Sequence, residues 1–279
     1  MKIAVIGGGG VGGYIAAKLS EVADVDLISK SLHQLKIIEN NQEKIYHPNI
    51  VRSPTSKLYD IVIFATKSYV LEKHAKELEK NVNENTIILP LLNGIKPYYI
   101  LKEIFKNSKV IKGAIYIISN KISTDTIKVK GKGALVVFED INDKTKKLKE
   151  LFEKAGIKVK TPKDIDKAIW QKYLFIAATA ALTTYYKKTF GEIAKEHLDE
   201  FEKILDEIID IAKQNGINLD KEDKEKAILL LIKSPKDAKS SMQLDFEKNQ
   251  KSEIDNILGF LATNKDTLIY RIYKKLKSN

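Results

Sequence analysis

The first residues whose types and spacing could do chemistry are Gly7, Gly9 and Gly12. They stand at G-x-G-x-x-G spacing inside the run Gly7-Gly8-Gly9-Gly10-Val11-Gly12-Gly13. Each glycine has its own physical reason in a phosphate-binding turn. Gly7 makes the tight turn, Gly9 lets the backbone approach a pyrophosphate, and Gly12 lets a helix pack close to a strand. The helix N-terminus then offers N–H groups and a positive dipole to the phosphates. A glycine-rich stretch can also be only a turn, so its context decides. Residues 2–6 before it are an apolar, β-branched run, residues 14–19 after it have helical apolar spacing, and residues 25–28 are a second apolar run. Strand, glycine turn, helix and strand make a βαβ unit. This makes Gly7, Gly8, Gly9, Gly10, Val11 and Gly12 a candidate dinucleotide site.

At the end of the second strand an NAD site usually carries an acidic residue for the ribose 2′-hydroxyl. Here the residues are Ser29-Lys30-Ser31. A cation flanked by hydroxyls suits a 2′-phosphate, which favours NADP(H). The plainer reading of Lys30 is one more surface lysine, and Asp26 lies close by, although alternation places it before the strand end. Further along, Lys67 and Asn93 each follow an apolar strand-like run, where ligands collect in open α/β sheets. Taken singly they are ordinary loop residues, and Asn93-Gly94 is a common turn pair. Lys172 sits amid Ile169, Trp170, Tyr173, Phe175 and Ile176, so it either snorkels to water or is held in a cleft. Glu253 follows Ser252 and precedes Asp255 in a capping-box pattern, where the helix dipole alone would explain a carboxylate. Ser241 lies twelve residues earlier in Ser240-Ser241-Met242.

These residues need elements to position them. Apolar runs at 59–66, 86–92 and 109–118 read as strands, with helices expected over 32–38, 70–80 and 96–105. Residues 127–138 read as strands joined through glycines, and an amphipathic helix over 144–155 precedes an extended 157–160. Beyond Thr161-Pro162 nearly everything is helical in period, over 165–185, 193–214, 222–233 and 252–276. The expected fold is an α/β Rossmann-type N-terminal domain, residues 1–162, followed by an all-α C-terminal domain, residues 163–279. The second domain would serve substrate binding and dimerisation.

Composition narrows the classes. The 279 residues are 43% hydrophobic, enough for buried cores. Lys and Arg total 48 against 37 Asp and Glu, a formal net charge of +11. The lysines are interleaved with acids, with no basic tail and no basic stripe carrying aromatics, so nucleic acid is not an expected partner. An anionic cofactor and substrate would be drawn to such a chain. The absence of Cys excludes disulfides and thiolate chemistry, and the four His residues show no metal-ligand spacing. No signal-peptide pattern and no long apolar span is visible, so a cytoplasmic protein away from membranes is expected.

Together these motifs resemble the ketopantoate reductase (2-dehydropantoate 2-reductase) family, in order and over nearly the whole chain. The glycine turn, Lys30, Lys67 after Ile-Phe-Ala-Thr, and Asn93 in Leu-Leu-Asn-Gly match its cofactor- and substrate-proximal positions. Trp170-Gln171-Lys172 matches the motif of its catalytic lysine. Ser240-Ser241-Met242 and Ser252-Glu253-Ile254-Asp255 match the motif with its substrate-binding serine, Ser241, and active-site glutamate, Glu253. The resemblance implies that NADPH reduces a 2-oxo acid held in an interdomain cleft, with Lys172 stabilising the developing alkoxide and donating the proton. Asn93, Lys172, Ser241 and Glu253 would contact substrate.

Three positions depart from the family. Asparagines expected four and eight residues after the lysine are Ile176 and Ala180, and another before a glycine is Phe190. A hydrogen bond to a charged group is worth about 1.5–3 kcal/mol, so these losses bear on substrate identity. Three readings follow: ketopantoate reduction in pantothenate and coenzyme A synthesis, reduction of another, less polar 2-oxo acid, and a non-catalytic NADP(H)-binding sensor.

Overall fold

The computed structural model describes residues 1–278. Its strands are β1 (Lys2–Ile6), β2 (Asp24–Ile28), β3 (Leu35–Glu39), β4 (Gln42–Tyr46), β5 (Asn49–Val51), β6 (Ile61–Phe64), β7 (Ile87–Pro90), β8 (Lys109–Val110), β9 (Gly113–Lys121), β10 (Thr126–Phe138) and β11 (Lys158–Lys160). Its helices are α1 (Gly10–Leu19), α2 (Leu71–Glu77), α3 (Lys96–Ile104), α4 (Asp143–Lys154), α5 (Ile165–Tyr186), α6 (Phe190–Glu196), α7 (Leu198–Gln214), α8 (Lys221–Lys233), α9 (Ser241–Glu247), α10 (Ile254–Ile257) and α11 (Leu268–Lys277). They fall into two compact units. One holds Met1–Leu92 and Pro97–Ile165, and the other holds Asn93–Lys96 and the chain from Asp166 onward. This division falls three residues past the 162/163 boundary expected from the sequence, and Asn93–Lys96, in the first half of the chain, packs with the helical residues.

The first unit is built on a six-stranded sheet in the order β5-β2-β1-β6-β7-β8, with every pair parallel. Side chains alternate across a strand. Ile3 and Val5 of β1, Ile61 and Ile63 of β6, and Ile87 and Leu89 of β7 therefore enter one core, while Ala4, Ile6, Val62, Phe64 and Ile88 enter a second. Both faces are covered, which is why these strands read as unbroken apolar runs.

A second sheet runs β11-β10-β3-β4, with β9 paired to β10. Two expectations change here. Residues 32–38 contain no helix: Leu35 and Ile37 point inward from β3, which pairs with β4 around Asn40 and Asn41. Both asparagines have positive φ, 52° and 61°, as a two-residue hairpin turn requires. Residues 126–138 form one long strand rather than several. Its glycines lie at an irregularity between Lys130 and Leu135, with Gly131 and Gly133 at positive φ.

The second unit has a helical core centred on α5, with Leu174, Ala177, Ala178, Ala181 and Leu182 buried. The stretch 193–214 is broken at His197 into α6 and α7. The stretch expected to be one helix over 252–276 is the four-residue α10 and the separate α11. Thr267 caps α11 by accepting from Tyr270 N–H, a local hydrogen bond that starts a new helix.

Candidate active site

In the first unit the glycine turn has the geometry its sequence requires. Gly7 has φ +110°, and a Cβ there would meet the Ala65 carbonyl at 2.7 Å. A Cβ on Gly12 would run into the Gly7 carbonyl oxygen, one on Gly8 into Ser29 and Leu32, and one on Gly10 into Ser119. Gly9 differs, since a Cβ there would meet nothing within 4 Å. Gly9 is also the N-cap of α1, with no side-chain cap and no acidic residue in the first turn. The leading N–H groups of α1, at Gly10, Val11 and Gly12, lack intrahelical acceptors by helix geometry, so that end is a natural anion site. Thr66 Oγ1 and Ser119 Oγ beside it are buried without hydrogen-bond partners in the described structure. A cradle closed to side chains, one open glycine and two orphaned hydroxyls fit a dinucleotide pyrophosphate.

A cavity of about 160 Å³ adjoins this turn. Gly7, Gly8, Ser29 and Lys30 line it, together with Arg52 just past β5 and His74 of α2. Sequence reasoning missed Arg52 and His74. Nothing in their neighbours marks them, and only the order β5-β2-β1 brings the end of β5 beside the end of β2. Burial holds the His74 imidazole below its ordinary pKa. Glu77 opposes that shift, while Lys30 and Lys73 add to it. Asp26, the acidic alternative for a ribose, is 2% exposed and committed elsewhere. It accepts from Asn49 Nδ2 at 2.7 Å, Lys57 Nζ at 3.1 Å and Tyr59 OH at 2.8 Å. Burial works to raise its pKa, but these hydrogen bonds overcome it and hold the carboxyl below the usual range. Lys67 lies at the C-terminal end of β6 and opens a short 3₁₀ turn, Ser68–Val70, with extended backbone.

The second unit brings together residues far apart in the chain. Lys172, on α5, is 9% exposed, and its Nζ donates to Asn93 Oδ1 at 2.9 Å. Burial pushes its ammonium down to about 8. Asn93 belongs to this unit because its own carbonyl accepts from Asn256 Nδ2 at 2.6 Å, while Ile95 enters the helical core. Glu253 is also 9% exposed. It is the N-cap of α10, where the sequence pattern had placed Ser252 as cap and Glu253 in the first turn. No capping box forms: Glu253 makes no side-chain cap, and the Asp255 carboxylate accepts from Tyr273 OH and Lys277 Nζ instead. The α10 turn is fixed to α5 by Tyr173, whose OH donates to the Ile257 carbonyl at 2.7 Å.

Ser241 is the exposed first residue of α9. The buried serine is its neighbour Ser240, which caps α9 and lies 2.8 Å from Thr183 Oγ1. Thr183 also donates to the Thr179 carbonyl, and Thr179 donates to those of Phe175 and Ile176. These hydroxyls are therefore spent inside the helix bundle. Ile176 is half-buried, Ala180 is buried, and Phe190 packs edge-on to Phe175 with ring centroids 6.0 Å apart. At these three positions the side chains are apolar, and the nearby Thr179 and Thr183 hydroxyls are bonded within the bundle.

A family model described as ketopantoate reductase PanE/ApbA matches residues 3–142, and the C-terminal model of the same family matches residues 164–264. The uncharacterized oxidoreductase YkpB of Bacillus subtilis is 30% identical over 275 residues, covering 94% of this chain and 91% of that one. A crystal structure of 2-dehydropantoate 2-reductase from Methylococcus capsulatus shares the fold with a TM-score of 0.88. It is 24% identical and covers 100% of this chain and 96% of that one. A ternary structure of D-mandelate dehydrogenase with NADH and anilino(oxo)acetate also shares it, with a TM-score of 0.84 and 24% identity, over 99% of this chain and 93% of that one. The chain belongs to the ketopantoate reductase PanE/ApbA family and is an oxidoreductase of that family. Among the described residues no helix is long and apolar enough to cross a membrane, and no group of three or more His, Asp or Glu is placed to hold a metal ion.

Proposed function

We propose that the protein reduces a 2-oxo acid with NADPH, with ketopantoate as the first candidate substrate and pantoate as its product, in cytoplasmic pantothenate and coenzyme A synthesis. The observation that carries this reading is the buried Lys172 ammonium bonded to Asn93. Gly7 to Gly12 would hold the pyrophosphate on the α1 N-terminus, with Lys67 close by, and Lys30, Arg52 and His74 would surround the 2′-phosphate. A bound NADPH supplies the hydride. As the substrate carbonyl carbon accepts it, negative charge develops on oxygen, and Lys172 stabilises that charge and gives up its Nζ proton. An ordinary lysine is a weak acid at neutral pH, and burial brings this one close to the pH of its task. Because Asn93 Oδ1 accepts from Lys172, the N–H donors of that amide are left to face a ligand oxygen. Glu253 would accept from a substrate hydroxyl or orient Lys172, and Ser241 would donate to the carboxylate.

Ile176, Ala180 and Phe190 favour a second reading. They replace amide donors with apolar surface, which suits a 2-oxo acid with an apolar side chain. The D-mandelate dehydrogenase neighbour, bound to anilino(oxo)acetate, supports the idea that this fold accommodates such a compound. An NADPH-oxidation assay with ketopantoate beside phenylglyoxylate and branched 2-oxo acids separates the two readings. A kcat/KM at least tenfold higher for ketopantoate supports the first, and the reverse order supports the second. Tight NADPH binding with no oxidation by any of them would leave the sensor reading. The expected assembly is a homodimer, which light scattering of the purified protein tests.

A further inference from the structure

Asn93 accepts from Lys172 through its amide oxygen, and the residue that bonds to its backbone carbonyl carries no role so far. Asn256 is 6% exposed, on α10 three residues after Glu253. Its Nδ2 donates to the Asn93 carbonyl at 2.6 Å. The next residue, Gly94, has φ +86°, and a Cβ there would come within 2.8 Å of that same Nδ2. So Gly94 leaves room for the Asn256 amide to sit against the chain. Two further links fix the segment: Ile95 is buried in the helical core, and Lys96 Nζ donates to the Asp255 carbonyl at 3.3 Å. The turn doing the holding is the one that Glu253 caps, since the Glu253 carbonyl accepts from the N–H groups of Asn256 and Ile257.

Asn256 is a costly choice for a structural filler. Its Oδ1 is buried with no hydrogen-bond partner among the described residues. An unmet buried acceptor is destabilising, and an apolar side chain of similar volume would avoid it. The side-chain bond that Asn256 makes among the described residues runs to Asn93, the residue that contacts Lys172.

We propose that Asn256 is a positioning residue, which fixes the Asn93 backbone so that the Asn93 amide oxygen meets the Lys172 ammonium and the amide N–H groups face the ligand. This rests on the reading of Lys172 as proton donor. The chain of contacts is Tyr173 to Ile257, Asn256 to Asn93, and Asn93 back to Lys172, a closed loop from α5 through α10 to α5. Among the described residues, the charged groups in and beside that loop include Lys172, Glu253, Asp255, Lys96 and Lys277.

The test compares Asn256→Asp and Asn256→Ala with wild type by steady-state kinetics over pH 5–10, NADPH affinity by fluorescence titration, and melting temperature. The Asp variant is isosteric but, when ionised, cannot donate to the Asn93 carbonyl. Its kcat should fall about ten- to hundredfold at pH 8, the scale of a misplaced catalytic contact. NADPH affinity should change less than threefold. As pH falls and the buried carboxyl protonates, it can donate again, so the Asp variant should recover towards wild type. The Ala variant, with no donor at any pH, should not recover. In the Ala variant the high-pH limb of kcat should also move upward, because a loosened Lys172 sits in a wetter place. If the Asp variant fails to fold, the Ala variant's kcat and pH limb decide alone. Wild-type kcat and an unmoved limb, with only a lowered melting temperature, would overturn the proposal and leave Asn256 a structural residue. Wild-type turnover in Lys172→Ala is a different result, and it would remove the underlying reading instead.

Discussion

The two candidate sites, one in each unit, are built in opposite ways. At the glycine turn, backbone does the work: seven consecutive residues set a φ of +110° at Gly7, close contacts at Gly8, Gly10 and Gly12, and an open position at Gly9. Around Lys172, side chains do the work, and they come from residue 93, residue 172 and residues 253–256. In a site built from backbone, the glycines are the positions least able to accept a side chain. A side-chain site depends on a chain of contacts any one of which can fail. The first kind should break through substitutions that add atoms, the second through substitutions that remove a group.

The largest expected effect is at Lys172. Lys172→Ala should lower kcat by about 10²–10⁴, the usual contribution of a positioned acid. NADPH affinity should stay within about threefold, because the proposed cofactor contacts lie on the other unit. Stopped-flow turnover and a binding titration check this. A parallel loss of both quantities would show that the two regions are not separable as described.

Next comes the contrast within the glycine turn. Gly12→Ala forces a methyl against the Gly7 carbonyl, so strand β1 or helix α1 must shift. Overpacking of this kind costs about 1–3 kcal/mol or more, and both melting temperature and NADPH affinity should fall. Gly9→Ala meets no protein atom, so the fold should keep its melting temperature. Any loss there should appear in NADPH affinity alone, through the space left for the pyrophosphate. Equal destabilisation by both substitutions would count against the open role of Gly9.

As the proposed proton donor, Lys172 would also tie function to pH. An acid must hold its proton, so kcat should be level below pH about 8 and fall tenfold per unit above it. Stability moves the other way. The native-state value lies below the ordinary 10.5, so the unfolded chain binds the proton more tightly. Below pH 8 the lysine is charged in both states and the burial cost is carried in full. Between about 8 and 10.5 the native state sheds its proton first and stability rises with pH, by on the order of 3 kcal/mol at most. The Lys172→Met variant lacks this dependence. Denaturant titrations at pH 7 and pH 10 should show the gap between the two proteins shifting in favour of wild type as pH rises. Losing the Asn93 partner adds an offset to that gap, but not a pH dependence.

The same contrast explains what could be read from the sequence. The parallel sheet, the glycine turn and the helical second half follow from apolar periodicity and a local motif, and all three are present. Lys172 and Glu253 stood out because their motifs resemble a family; taken alone, the lysine read as snorkelling and the glutamate as a helix-dipole residue. What failed was local competition. Residues 32–38 carry apolar spacing that suits a helix or a strand, and the deciding signal was the Asn40-Asn41 turn. The capping box at Ser252 lost because Asp255 is taken by Tyr273 and Lys277, residues that a local window does not include. Asn256 and Arg52 carry no local signal at all. Each acquires its place from a partner 22 to 163 residues distant, Lys30 or Gly7 for one and Asn93 for the other.

The smallest effect concerns Arg52, and it tests whether the first unit is purely a backbone site. Lys30 and Arg52 are both exposed and line the same cavity as the half-buried His74. If they surround a 2′-phosphate, each cation makes a charge-assisted contact whose strength solvent reduces. Arg52→Ala and Lys30→Ala should then each weaken NADPH by about tenfold, the low end for bonds to charged groups. NADH, lacking that phosphate, should change less than twofold. The ratio of the two affinities is the measurement, because a general loss of structure would lower both alike. Raising ionic strength should compress the ratio in wild type and leave it nearly flat in the double variant. If NADH binds wild type more tightly than NADPH, the cavity takes a bare ribose and adenine, and the charged rim of an otherwise backbone-built site has no part in choosing the cofactor.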